Sequence, residues 1–184
     1  YGVTVDHQNN VILTGQFQGN SSIANQMFSS VVDPVTNSVS FDFFIAKYNA
    51  AGTPLWVKVG AAKKEDRGLA VAVDNQVNIF FTGQYSDTLS FGGNVYNNNG
   101  FNVGFVSKIS ASGQVLFFNN LRAGFVLPYD IEVNTQNQPI LSGDFLGNMN
   151  YYNNGIAQAI QNQYSKKIFV LKIENNGTYS WHYT

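Results

Sequence analysis

Phe44-Ile45-Ala46-Lys47-Tyr48-Asn49-Ala50-Ala51-Gly52-Thr53-Pro54-Leu55-Trp56-Val57-Lys58 reads as a strand, a tight turn and a returning strand. The pattern occurs twice more, over Phe105-Val106-Ser107-Lys108-Ile109-Ser110-Ala111-Ser112-Gly113-Gln114-Val115-Leu116-Phe117 and over Phe169-Val170-Leu171-Lys172-Ile173-Glu174-Asn175-Asn176-Gly177-Thr178-Tyr179-Ser180-Trp181. Each copy has Phe, Lys three positions on, a turn ending in Gly, and an aromatic four residues after that Gly. Gly52, Gly113 and Gly177 supply the positive φ that a short hairpin with a bulge requires.

A second hairpin precedes each copy of the first. It runs from Gly2 to Phe17, from Leu69 to Tyr85 and from Tyr129 to Phe145: an apolar strand, Asp or Asn, a polar turn, another apolar strand, then Thr/Ser-Gly-x-aromatic. Asp6, Asp74 and Asn134 stand where a side-chain oxygen can cap the amides of the turn that follows. Gly15, Gly83 and Gly143, each two residues before an aromatic, suggest a bulge or a close backbone approach. The two hairpins together make a four-stranded module of about 60 to 68 residues, and three modules are expected over roughly 1–60, 61–118 and 119–184.

Inserts rich in Asn, Gly and Ser separate the hairpins over Gly19–Ser40, Gly92–Asn102 and Gly147–Ser165. Ile156-Ala157-Gln158-Ala159-Ile160-Gln161, in the third insert, suits either a helical turn or a loop. No long amphipathic helix is present in the pattern, so the fold class is all-β. Four-stranded antiparallel units at this period are the signature of β-propeller blades.

The motif set also resembles a known family. Phe44 to Trp56, followed by Asp66-Arg67-Gly68-Leu69-Ala70-Val71-Ala72-Val73-Asp74 and Asn78-Ile79-Phe80-Phe81-Thr82-Gly83, is similar to the bacterial β-propeller repeat called SBBP. The resemblance runs through all three modules and is closest in the middle one. Where that family places Gly before the Asn-Val-Tyr strand, this chain has Asn9, Val77 and Asn137, and Pro128-Tyr129-Asp130-Ile131 replaces the Gly-x-Ala-Val strand. The resemblance implies a bacterial-like surface protein. Three blades are too few to close a ring. The 184-residue sequence is therefore read as part of a larger propeller or of one completed by oligomerisation, its partners being other blades of the same parent chain or other subunits.

Composition narrows the function classes. The chain has 15% aromatic and only 11% charged residues and a net charge of -1. With so little charge and no basic stripe, nucleic acid is not an expected partner. No apolar run of about 18 residues is present, so no membrane insertion is expected. Cysteine is absent, which removes disulfides, thiolate zinc sites and thiol nucleophiles.

The catalytic inventory is thin. His7 and His182 belong to different modules and lack partners at metal-ligand spacing. Carboxylates for glycan chemistry would have to converge from Asp42, Asp87, Asp130 and Asp144. No catalytic residue, metal ligand or cofactor is assigned. Lys47, Lys108 and Lys172 are expected to cover apolar surface with their stems and to keep their ammonium groups in water. Trp56, Phe117 and Trp181 are expected to pack blade against blade. Lys63-Lys64-Glu65-Asp66-Arg67 reads as a solvated connection, in which Asp66 can also bond the start of the next strand.

Ligand contact, if any, is expected from insert aromatics, Tyr96, Tyr151, Tyr152 and Tyr164. The resulting expectation is a non-enzymatic extracellular or surface-exposed scaffold or adhesion module of a cell surface, filament or virion. The alternatives are a carbohydrate-binding, lectin-like propeller and, behind it, a propeller-type glycan lyase or hydrolase.

Overall fold

A computed structural model describes the chain except at residues 154, 163 and 164, and describes only the backbone at 99–101. The described residues form strands, turns and bends with no helix. Strand β1 (Gly2–Val5) and β2 (Val11–Gln18) are followed by the small hairpin β3 (Asn20–Ile23) and β4 (Gln26–Ser29), then by β5 (Phe41–Tyr48) and β6 (Pro54–Gly60). Next come β7 (Arg67–Val73), β8 (Ile79–Phe91), β9 (Asn94–Ile109) and β10 (Val115–Arg122). The last are β11 (Phe125–Val133), β12 (Pro139–Leu146), β13 (Met149–Asn153), β14 (Ile156–Ile160), β15 (Lys166–Ile173) and β16 (Tyr179–Tyr183).

They assemble into three antiparallel sheets in the orders β1-β2-β5-β6, β7-β8-β9-β10-β13-β14 and β11-β12-β15-β16. The hairpin β3–β4 forms a separate pair. The third insert therefore does not stay with its own sheet. It is a hairpin whose strand β13 pairs with the outer strand of the sheet before it, Leu121 opposite Tyr151. Ile156–Ile160, compatible in sequence with a helical turn or a loop, is strand β14. The far end of β8 likewise reaches back, through a bridge between Ser90 and Ala61.

The turns obey their local chemistry. Asp6 Oδ1 accepts the amides of Gln8 and Asn10 at 2.9 Å each, and Asp74 and Asn134 do the same for their turns. Asn9, Val77 and Asn137 occupy the left-handed region at φ 60°, 64° and 61°. Val77 is the strained one of the three, because a β-branched side chain rarely adopts that conformation. Gly52, Gly113 and Gly177 close the other hairpins at φ 78°, 89° and 87°.

Each Thr/Ser-Gly glycine lies opposite a Phe of the neighbouring strand: Gly15 with Phe44, Gly83 with Phe105, Gly143 with Phe169. The ring covers the glycine so closely that a Cβ on Gly83 would stand 2.8 Å from Phe105 and 2.0 Å from the Arg67 carbonyl. The sheets pack face to face. Phe43 and Ile45 of the first meet Phe81 and Phe105 of the second, while Phe80 and Val106 on the other side of the second meet Leu141 and Phe169 of the third. Burying each such side chain stabilises the fold by about 1.5–3 kcal/mol before chain entropy is counted.

Candidate interaction surfaces

The first strand of every sheet meets at one place. Residues of β1, β7 and β11 line a cleft of about 440 Å³, and small residues let the strands come close. A Cβ on Gly2 would lie 2.8 Å from Cα of Ala70. Val3, Val71, Ile131 and Glu132 are among the residues that line the cleft. Among the described residues no three His, Asp or Glu side chains group where a metal ion could sit.

Away from the cleft, one contact recurs between consecutive sheets. The aromatic on the fourth strand of one sheet, β6 or β10, lies on the turn glycine of the next. Trp56 stands 3.3 Å from the Cβ position of Gly113, and its indole N–H donates to the Ala111 carbonyl at 3.1 Å. Phe117 stands 3.0 Å from the Cβ position of Gly177, and Lys108 donates to the Asn175 carbonyl at 3.3 Å. Ala111 and Asn175 occupy the same place in their turns, two residues before the glycine. Only a glycine leaves the turn flat enough for a ring to rest on it.

At either end of the stack the same positions lie open. Val3 is 69% exposed, whereas its counterparts Val71 and Ile131 are buried between sheets. Around it, Leu13, Gly15, Phe41 and Phe44 line a shallow hollow of about 660 Å³ on the face of the first sheet turned away from the second, beside the β3–β4 hairpin, whose Ile23 and Phe28 cluster with Phe17, Phe44 and Ala46. On the free face of the third sheet Ile168 is 70% exposed, while its counterpart Phe43 is fully buried. Trp181 is exposed with it, and no atom lies within 4 Å of the Cβ position of Gly52.

Two of the three repeated lysines, Lys47 and Lys108, differ from expectation, while Lys172 is partly exposed. The Lys47 ammonium is buried and lies 3.0 Å from Asp6, and Lys108 lies 3.6 Å from Asp74 and over the Phe80 ring. Desolvation lowers the Lys108 pKa and Asp74 opposes it. A carboxylate already fixed by the turn makes the buried position tenable, which spacing alone does not reveal. Burial also pushes the Asp6 carboxyl up, but bonds from Asn10, Lys47 and Gln8 outweigh it and hold the group at about 2.

Asp66 likewise departs from the solvated reading of its charged run. It is fully buried, and Oδ1 accepts the Ser86 amide at 3.0 Å. Asp42 is fully buried nearby, bonded to Ser40 and the Val31 amide. Burial first, and then the Asp42 charge, raise Asp66 to about 8, and burial raises Asp42 to about 6. Of the other carboxylates considered for catalysis, Asp144 sits in the third sheet with Tyr129 and Lys166, and Asp130 bonds the Ile131 amide. Asp42 thus acts on Asp66, which the sequence places in a charged run, and not on the other carboxylates named with it for glycan chemistry.

Of the insert tyrosines, Tyr96 stacks on Phe118 with centroids 4.2 Å apart. Tyr151 is buried: its hydroxyl donates to the Gly177 carbonyl at 2.5 Å and accepts from Asn119 at 2.6 Å, and burial raises its pKa. Tyr152 lies under the Arg122 guanidinium at 5.0 Å and is partly open. The three belong to strands β9 and β13 rather than to loops, which turns Tyr151 inward and commits its hydroxyl to the sheet contact. Tyr164 lies outside the described residues. No protein-family model and no curated protein matches the sequence.

Proposed function

We propose that the chain is a three-blade β-propeller segment working without catalysis, as a scaffold or adhesion module on the outside of a cell, filament or virion. The observation that carries this reading is the reuse of one sheet-to-sheet contact, Trp56 on Gly113 and Phe117 on Gly177, by sheets whose first strands meet at a common cleft. Four-stranded antiparallel units arranged about a centre are how propellers are built. The polar side chains at repeated positions are committed to architecture: Asp6 and Asp74 to turns and lysines, Thr14 and Thr82 to the carbonyls of Phe44 and Phe105. Apolar surface at both ends and a net charge of only -1 suit a building block whose partners are other blades or subunits.

Immunogold labelling of the intact source with an antibody against the 184-residue chain tests the reading. Label on the outer surface is expected. Label confined to the interior overturns it.

A further inference from the structure

The two free faces of the stack are the two halves of a contact the molecule already makes twice. Every internal junction joins the outward face of one sheet to the inward face of the next, and seats an aromatic on a turn glycine. The first sheet presents an inward face that its own β3–β4 hairpin covers only in part, with Val3 exposed and the Gly52 turn uncovered. The third presents an unused outward face, with Ile168 and Trp181 exposed. Both halves are on one chain.

We infer that the inward face of the first sheet binds the outward face of the third sheet of a second copy, head to tail, with Trp181 of one copy seated on the Gly52 turn of the other. The sequence favours this junction at its key point. Trp181 restores the residue type of Trp56, whose indole N–H reaches the carbonyl two residues before the turn glycine. In the new junction that carbonyl belongs to Ala50, as it belongs to Ala111 in the first. Ile168 takes the part of Phe43, entering the hollow lined by Val3, Leu13 and Phe44 as Phe43 enters the space beside Phe81 and Phe105. Such a contact is heterologous, so copies either close into a ring or extend into a filament. The inference rests on the stacked-repeat part of the proposed function and is independent of where in the organism the protein resides.

The direction of pairing supplies the test. Val3→Glu blocks the inward face and Ile168→Glu the outward face, both at exposed positions that leave the sheets' own cores untouched. In sedimentation velocity the unsubstituted 184-residue chain is expected at multiples of 20.3 kDa that rise with concentration, and each variant alone at 20.3 kDa. Mixed one to one, the variants are expected to form a dimer, because each keeps the half its partner lacks. Far-ultraviolet circular dichroism checks that each variant is folded, and Val5→Glu and Trp181→Glu replace any that is not. An unsubstituted chain that stays monomeric overturns the inference. So does a mixture that stays monomeric, a variant that dimerises with itself, or a native protein whose own further sheets cover both faces. The first two of these outcomes leave the surface-scaffold reading standing, which only the labelling experiment decides.

Discussion

Asp66 belongs to the most densely charged run of the chain, Lys63 to Arg67, and yet is fully buried beside Asp42. Two carboxyl groups in one desolvated place cannot both ionise at low cost. Asp66 at about 8 and Asp42 at about 6 both stand above the ordinary value of about 3.9 that they regain on unfolding. Their contribution to stability is complete below pH ~4 and is lost as pH rises through about 6 and then about 8. Asp6 has the opposite sign: held at about 2, it stabilises above pH ~4 and loses this as the pH falls towards 2. Urea unfolding is therefore expected at a higher midpoint at pH 5 than at pH 8.5. Asp66→Asn removes most of that difference, because the amide keeps an oxygen for the Ser86 N–H and carries no charge. A native chain at least as stable at pH 8.5 as at pH 5 contradicts this account of the pair. Sequence pattern could not foresee it, since charge runs normally face water and the burial comes from two sheets meeting over Asp66.

At the scale of the strand, the glycines opposite Phe residues separate sequence logic from tertiary consequence. The motif Thr/Ser-Gly-x-aromatic was legible, and so was its meaning as a close approach; how close was not, because that depends on the neighbouring strand. At Gly83 a Cβ would meet the Arg67 carbonyl at 2.0 Å, and at Gly15 its nearest neighbour is the Phe44 ring at 3.1 Å. A ring edge can yield by a few tenths of an ångström, and a strand's backbone cannot. Gly83→Ala is expected to cost about 3 kcal/mol and Gly15→Ala about 1 kcal/mol or less, measured by urea unfolding. Equal costs would show that the paired strands do not lie as close as described. The turns were legible for the same local reason: Asp6, Asp74 and Asn134 do their work within four residues of themselves. The inserts were not. Tyr151 looked like a loop aromatic because its partner, Leu121, lies in the preceding sheet, and no short-range pattern announces a strand that crosses between sheets.

For the whole molecule, repetition is the informative signal, and it also shows what a single chain leaves undone. Three copies of a repeated motif were readable from Phe44, Phe105 and Phe169 and their turn glycines, and so was the packing of Trp56 and Phe117, whereas Trp181, expected to pack likewise, is exposed. That Trp56 and Phe117 rest on the next module's glycine required the three-dimensional arrangement, and that arrangement leaves Trp181 and Gly52 as the unmatched ends. The chain has two tryptophans, and Phe117 already fills the position equivalent to Trp56. Trp56→Phe therefore gives a protein in which all tryptophan emission comes from Trp181. The measurement is acrylamide quenching of that emission across a range of protein concentrations. If one interface serves both within and between copies, Trp181 is open to quencher when dilute and becomes shielded, with blue-shifted emission, as the chains associate. Emission that stays open to quencher at every concentration contradicts the account.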